Sequence, residues 1–159
     1  MVATPTPTKV VVPTPTPKFQ PKRGGTLRFA QTSLPPSFDV HASSFSLLTN
    51  HTHLTHSRLL RYKSLAWPEE AKYGELTVVG DLAESWDISK DGKTFTFHIR
   101  KGVKWPNVAP LNGRELTSDD AKKAFERILY SPKSIFKEFY QAITSMTTPD
   151  KYTLVMTID

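Results

Sequence analysis

The chain has no cysteine. Its absence excludes disulfides, thiol nucleophiles and any zinc site built on thiolates. No apolar run approaches the ~18 residues that a membrane span needs. Glycine is scarce, with seven residues scattered over turn positions. No glycine-rich phosphate loop and no Gly-x-Ser-x-Gly elbow can therefore be found. Acidic residues are missing from residues 1–23, which carry Lys9, Lys18, Lys22 and Arg23 and so four of the six net positive charges. The remainder holds 17 basic against 15 acidic residues and is nearly balanced. A nucleic-acid binder concentrates its basic residues on a folded face; an excess confined to a tail solvates it, and no nucleic-acid partner is expected.

With 159 residues, 38% of them hydrophobic, the chain has the makings of one soluble globular domain with a modest core. Proline is unevenly spread. It recurs at alternate positions in Thr4-Pro5-Thr6-Pro7 and Pro13-Thr14-Pro15-Thr16-Pro17. Proline fixes φ and removes a donor, so residues 1–23 are expected to be a disordered, polyproline-like linker.

The best-patterned stretch runs from Ala83 to Lys104. Thr94–Arg100 alternates strictly, with Phe95, Phe97 and Ile99 on one face. That is the period of a half-buried strand. Glu84–Ile88, with Trp86, predicts its hairpin partner across Ser89-Lys90-Asp91-Gly92-Lys93, where Asp-Gly supplies the positive φ angles of a tight turn. Asn107–Leu116 reads as a loop. Thr117 reads as an N-cap for a helix over Ser118–Tyr130, with Asp119 and Asp120 at the positive end of its dipole and Ala121, Ala124, Phe125 and Ile128 as the apolar stripe. Pro132 stops it.

Further expectations follow along the chain. Gly24–Ala30 reads as a first strand, and Leu34-Pro35-Pro36 as a turn leading through Phe38-Asp39-Val40-His41. Ser44–Tyr62 is predicted helical from Phe45, Leu48, Thr52, Thr55, Leu59 and Tyr62 on one face. Leu65–Val79 is a loop with a short strand near Leu76–Val79. Ser134–Ala142 reads as a short helix, Thr144–Thr147 as a strand, Pro149-Asp150 as a turn, and Tyr152–Ile158 as an alternating strand. Exposed, unpaired edges are expected around Tyr152–Ile158, a hazard for aggregation.

Chemical constellations are few. Asp119-Asp120 opens a helix, so capping accounts for it better than acid–base catalysis. Glu69-Glu70 has no supporting pattern. His53 and His56 share a helix face, but His51 lies round the cylinder and no carboxylate joins them, so a solvated polar stretch accounts for them better than a metal site. No catalytic residue, metal or cofactor is expected. Trp86, Trp105, Phe95 and Phe97 fit core packing better than a stacking surface.

Leu82-Ala83-Glu84-Ser85-Trp86, Asp91-Gly92, the strand ending in Arg100, Gly102–Trp105, Thr117–Asp120 and the apolar run to Arg127 occur in one order and spacing. In this the chain resembles the extracellular solute-binding proteins, family 5, which deliver peptides, nickel and related solutes to ABC transporters. The resemblance covers residues 24–159. It departs where Phe38-Asp39-Val40 stands for the family's Leu-Asp-Pro, and where Pro106–Gly113 looks like a small insertion.

The resemblance implies a mixed α/β (α+β) fold of the type II periplasmic-binding architecture, present as part of the first lobe. Such proteins are about three times longer and close two lobes on the ligand. The chain is thus expected to be an N-terminal fragment. It also implies a non-enzymatic, monomeric receptor outside the membrane, in the periplasm or at the cell surface. Its partners would be a peptide or other small solute and ABC permease subunits. Its lipid anchor would be a cysteine that this chain lacks. Carried onto this sequence, the ligand border falls at Ser43, Ser44, Phe45 and Ser46, and at Phe136, Phe139 and Tyr140; hydroxyls would meet polar ligand atoms and aromatics apolar ones. Two alternatives are a stand-alone extracytoplasmic interaction module on a Thr-Pro stalk and an accessory domain of a secreted enzyme.

Overall fold

The computed structural model describes residues 24–26, 28, 30, 37–42, 52, 55–63 and 77–159. It divides into two units, Met1–Ala30 and Gln31–Asp159. In the first, the described residues are irregular backbone. Of the strand expected over Gly24–Ala30, the described residues 24–26, 28 and 30 are not in strand, and Gly24 and Gly25 both take positive φ, 82° and 98°, which is incompatible with an extended ladder; Leu27 and Phe29 lie outside the described residues. The predicted linker over 1–23 lies outside the described residues.

The second unit is built on a four-stranded antiparallel sheet. Its strands are β3 (Ala83–Ile88), β4 (Thr94–Ile99), β5 (Ile143–Asp150) and β6 (Thr153–Ile158), in the order β3-β4-β6-β5. A separate pair joins β1 (Leu60–Tyr62) to β2 (Val78–Gly80), with Leu60 opposite Gly80. Between β4 and β5 the chain forms helix α1 (Ser118–Tyr130) and the single-turn α2 (Lys137–Tyr140).

The expected β3–β4 hairpin forms, with Trp86 opposite Phe97 and Ile88 opposite Phe95. Its turn uses one residue at positive φ, Gly92 at 71°. Asp91 contributes otherwise: its Oδ1 accepts from the Ser89 hydroxyl and from the Lys93 amide at 3.1 Å. An extra residue between Ala83 and Ser85 bulges β3, so Ala83 points into the core while Glu84 and Ser85 both face solvent. Phe97 and Ile99 from β4, Leu154 and Met156 from β6, Ala83 and Leu116 form the core cluster. The alternation read from the sequence is therefore the inward face of the two central strands.

Several expectations need correction. The helix predicted over Ser44–Tyr62 does not run its length. Thr52 and Thr55 are helical, but Leu60–Tyr62 is a strand. Long-range bonds capture that segment: Arg58 N–H donates to Asp81 Oδ2 at 2.8 Å, and Asp81 and Leu82 N–H donate to the carbonyls of Leu59 and Arg58 at 3.1 and 2.8 Å. Ser134–Ala142 yields only the four-residue α2. The turn placed at Pro149-Asp150 falls at Lys151-Tyr152. Pro149 sits in a ladder irregularity between Thr147 and Asp150, where a missing donor is tolerated, and Asp150 Oδ1 accepts the Tyr152 amide at 2.7 Å. Within α1, Ala124 is exposed and Leu129 is buried beside Ile128. Finally, β6 is no edge: it pairs with β4 on one side and β5 on the other, leaving β3 and β5 as the outer strands of this sheet.

Helix α1 is seated on the sheet by its N-terminus. Ser118, buried, donates its hydroxyl to Asp150 O at 2.6 Å and its amide to Lys151 O at 2.9 Å. The Asp120 carboxylate accepts the backbone N–H of Thr117 at 3.0 Å, satisfying a donor that the helix leaves open. Asp119 accepts from the Thr148 hydroxyl at 2.7 Å.

Candidate functional site

The ligand border expected from the resemblance has two halves. Ser43, Ser44, Phe45 and Ser46 lie outside the described residues, but the turn that enters them, 37–42, is described. The second half, Phe136, Phe139 and Tyr140, is described in full.

The two segments meet in the fold. Ile135 N–H donates to His41 O at 3.0 Å. Arg127, in the last turn of α1, reaches the same turn: Nη1 donates to Asp39 Oδ1 at 3.0 Å and to His41 Nδ1 at 2.9 Å, and Nη2 donates to Asp39 Oδ2. Asp39 Oδ1 also accepts the His41 amide at 3.0 Å, the local turn that short Asx side chains favour. The Arg127 guanidinium, then the His41 amide, hold the Asp39 carboxyl below its usual range, and Asp39 in turn raises Arg127. Burial, then the Arg127 charge, push the His41 imidazole below 6.5 against the pull of Asp39.

The three aromatics differ in role. Tyr140 packs edge-on against Phe125 of α1, with ring centroids 5.7 Å apart, and so ties α2 to the helix. Phe136 lies 6.3 Å from Phe139. Phe139 is 80% exposed, and Phe38 and Ile135 are exposed as well. Phe139 thus faces solvent, while Tyr140 packs on the helix. Two shallow hollows among the described residues lie elsewhere, at Lys122–Tyr130 with Ile143–Met146 and at Arg58–Tyr62 with Val78.

The remaining charged clusters are occupied with structure. Asp120 receives both Arg114 guanidinium nitrogens, at 2.7 and 2.6 Å, and Trp105 Nε1 at 3.3 Å. Arg114 first among these holds it at about 2. The Asp119-Asp120 pair is therefore fully engaged in capping and bracing. Glu115 accepts from Lys151 Nζ at 2.6 Å, Gly102 N–H at 2.8 Å and the Tyr152 hydroxyl at 3.0 Å, and is likewise held at about 2. Among the histidines read as a polar stretch, His51 and His53 lie outside the described residues, and His56 Nδ1 is 2.8 Å from Thr55 Oγ1. Among the described residues no cluster of three metal-ligating side chains forms, and no helix is long and apolar enough to cross a membrane.

The Asp39–Arg127–His41 cluster was not legible in the sequence. Its members are 86 and 88 positions apart, beyond any local periodicity. The only sequence signal was the replacement of a Leu-Asp-Pro pattern that keeps its Asp.

Residues 77–159 match the family described as bacterial extracellular solute-binding proteins, family 5 Middle. The dipeptide-binding protein of Escherichia coli (strain K12) is 38% identical over 103 residues, which cover 64% of this chain and 18% of that protein. Di/tripeptide-binding protein 1 of Pseudomonas aeruginosa is 51% identical over 57 residues, covering 35% of this chain and 11% of that protein. The chain thus spans less than a fifth of the length of either relative in the matched regions. Among solved structures, the ABC transporter-associated periplasmic binding protein DppA from Helicobacter pylori, in complex with peptide STSA, superposes with a TM-score of 0.64 at 27% identity, covering 79% of this chain and 25% of that one. The binding protein AgaA from A.tumefacien R10, in complex with agropinic acid, gives 0.64 at 28% identity, covering 79% and 22%. These relatives are binding proteins, and the solved ones carry the type II periplasmic-binding fold of which this chain forms a partial domain. The chain belongs to the bacterial extracellular solute-binding proteins of family 5.

Proposed function

We propose that this chain forms part of the first lobe of the substrate-binding component of an ABC transporter, which captures a short peptide outside the membrane and delivers it to the permease. The observation that carries the reading is the match of residues 77–159 to family 5, together with relatives named for binding dipeptides and tripeptides. In this reading residues 1–23 are a spacer, residues 24–159 belong to the lobe, and the receptor acts as a monomer tethered by a lipid anchor. The fold alone does not choose the solute, since its relatives include a structure holding agropinic acid and one holding Ni(L-His). The peptide reading rests on the sequence relatives.

The ligand border is proposed at Ser43, Ser44, Phe45 and Ser46 with Phe136, Phe139 and Tyr140. The bond from Ile135 to His41 supports it, because it joins the turn before Ser43 to the residue before Phe136. Binding would shift a population of open and closed lobes toward closed. Half a cleft binds weakly, so the test is nuclear magnetic resonance of the chain titrated with millimolar Ala-Ala and Ala-Ala-Ala. The expected result is saturable shifts in the ring resonances of Phe136, Phe139 and Tyr140, with no such shifts from glucose. Unmoved rings at saturating peptide would count against the peptide site and favour the stand-alone interaction module.

A further inference from the structure

The Arg127 side chain connects α1 to the turn over residues 37–42, and it does so with two kinds of acceptor. Asp39 takes both guanidinium nitrogens, and the His41 ring takes a second bond from Nη1. The second bond dictates the state of the imidazole. Arginine has only donors, so Nδ1 must be unprotonated, with the proton on Nε2. A protonated ring would set N–H against N–H and one positive charge against another.

We propose that Arg127, Asp39 and His41 form a latch that fixes the turn entering Ser43 against the segment entering Phe136, and that protonation of His41 opens one arm of it. Arg127 is in this sense a positioning residue. The consequence for ligand binding rests on the function proposed above, whereas the latch itself does not. Among the described residues, the charged groups acting on the ring are Arg127 from α1 and Asp39 from its own turn; the segment of Ser134 and Ile135 presents a backbone amide to the His41 carbonyl. Asp39 keeps its pair of bonds to Arg127 throughout, so the latch loosens and does not let go.

The direction with pH follows from the ring's surroundings. Burial and Arg127 favour the neutral form, so the folded state binds its proton less readily than a free imidazole of 6.5. The arm is complete above 6.5 and is lost as pH falls through the lower value of the folded state.

The test uses the chain without ligand, so its failure is separable from failure of the peptide reading. Long-range proton–nitrogen spectra report the tautomer and titration of His41, and hydrogen exchange reports protection of the Ile135 amide, whose acceptor is the His41 carbonyl. We expect the Nε2–H tautomer at neutral pH and titration below 6.5. The Ile135 protection factor should fall about fivefold as the ring protonates, the factor that one hydrogen bond of ordinary net strength supplies. In His41→Gln, whose amide oxygen still accepts from Arg127, that fall should vanish while protection at neutral pH remains. Arg127→Lys, which cannot make the forked contact, should lower protection at both ends of the range. Titration of His41 at or above 6.5, or Ile135 protection that ignores it, would overturn the latch. So would a His41→Gln chain that keeps the same pH dependence.

Discussion

Asp120→Asn removes one charge at the start of α1 while keeping the side chain's shape. The carboxylate is 11% exposed and receives Arg114 twice, Trp105 Nε1 and the Thr117 amide. Arg114 above all lowers its pKa from 3.8 to about 2. At 1.36 kcal/mol per unit, a shift of that size corresponds to an upper bound of about 2 kcal/mol at neutral pH. Arg114 is 48% exposed, so solvent screens the pair and about 1–1.5 kcal/mol is the better expectation. Asparagine keeps an oxygen for the Thr117 amide, so the cap survives in part. The sign is that of a depressed acid: the contribution is full above 3.8 and is lost as pH falls through about 2. Urea unfolding followed by tryptophan fluorescence at neutral pH should therefore show Asp120→Asn less stable by about 1–1.5 kcal/mol. A double-mutant cycle with Arg114→Ala should assign most of that loss to the pair. A difference under about 0.3 kcal/mol, or purely additive single mutants, would refute the account.

Three other outcomes are expected. Leu154→Ala, at a fully buried position in the central strand β6, should lower unfolding stability by about 3 kcal/mol, read from the same urea curves. The glycines at 80 and 92 should separate two mechanisms. A Cβ at Gly80 would stand 2.3 Å from the Ala83 carbonyl oxygen and force the β2–β3 link to move. At Gly92 it would meet nothing, leaving only the strain of φ 71°, about 1 kcal/mol, so Gly80→Ala should be the more damaging in thermal melts. Phe139→Ala should leave the melting temperature within about 2 °C, because the ring is largely exposed, yet should abolish the shifts that peptides induce at Phe136.

Local pattern carried a good part of this protein. Period-two alternation in Thr94–Arg100 and Tyr152–Ile158 marked the two central strands, and the run from Thr117 to Pro132 marked α1, its cap and its end. Those signals are local because a strand's two faces and a helix's first turn are set by neighbours within a few residues. The same patterns, in their order, carried the family.

What the sequence left open was decided at long range. Tyr62 obeys a helical period in isolation, but a ladder to Val78 made its segment a strand, since the summed bonds of pairing exceed a weak propensity. β6 reads as a terminal strand in the chain, and only sheet order shows it enclosed by β4 and β5. The proposed ligand border follows the same rule: its aromatics were named from the resemblance, but that Tyr140 packs on Phe125 while Phe139 faces solvent depends on how α2 settles on α1. The latch is the extreme case, because an ion pair between positions 39 and 127 leaves no periodic trace and exists only when the fold brings a turn to a helix end.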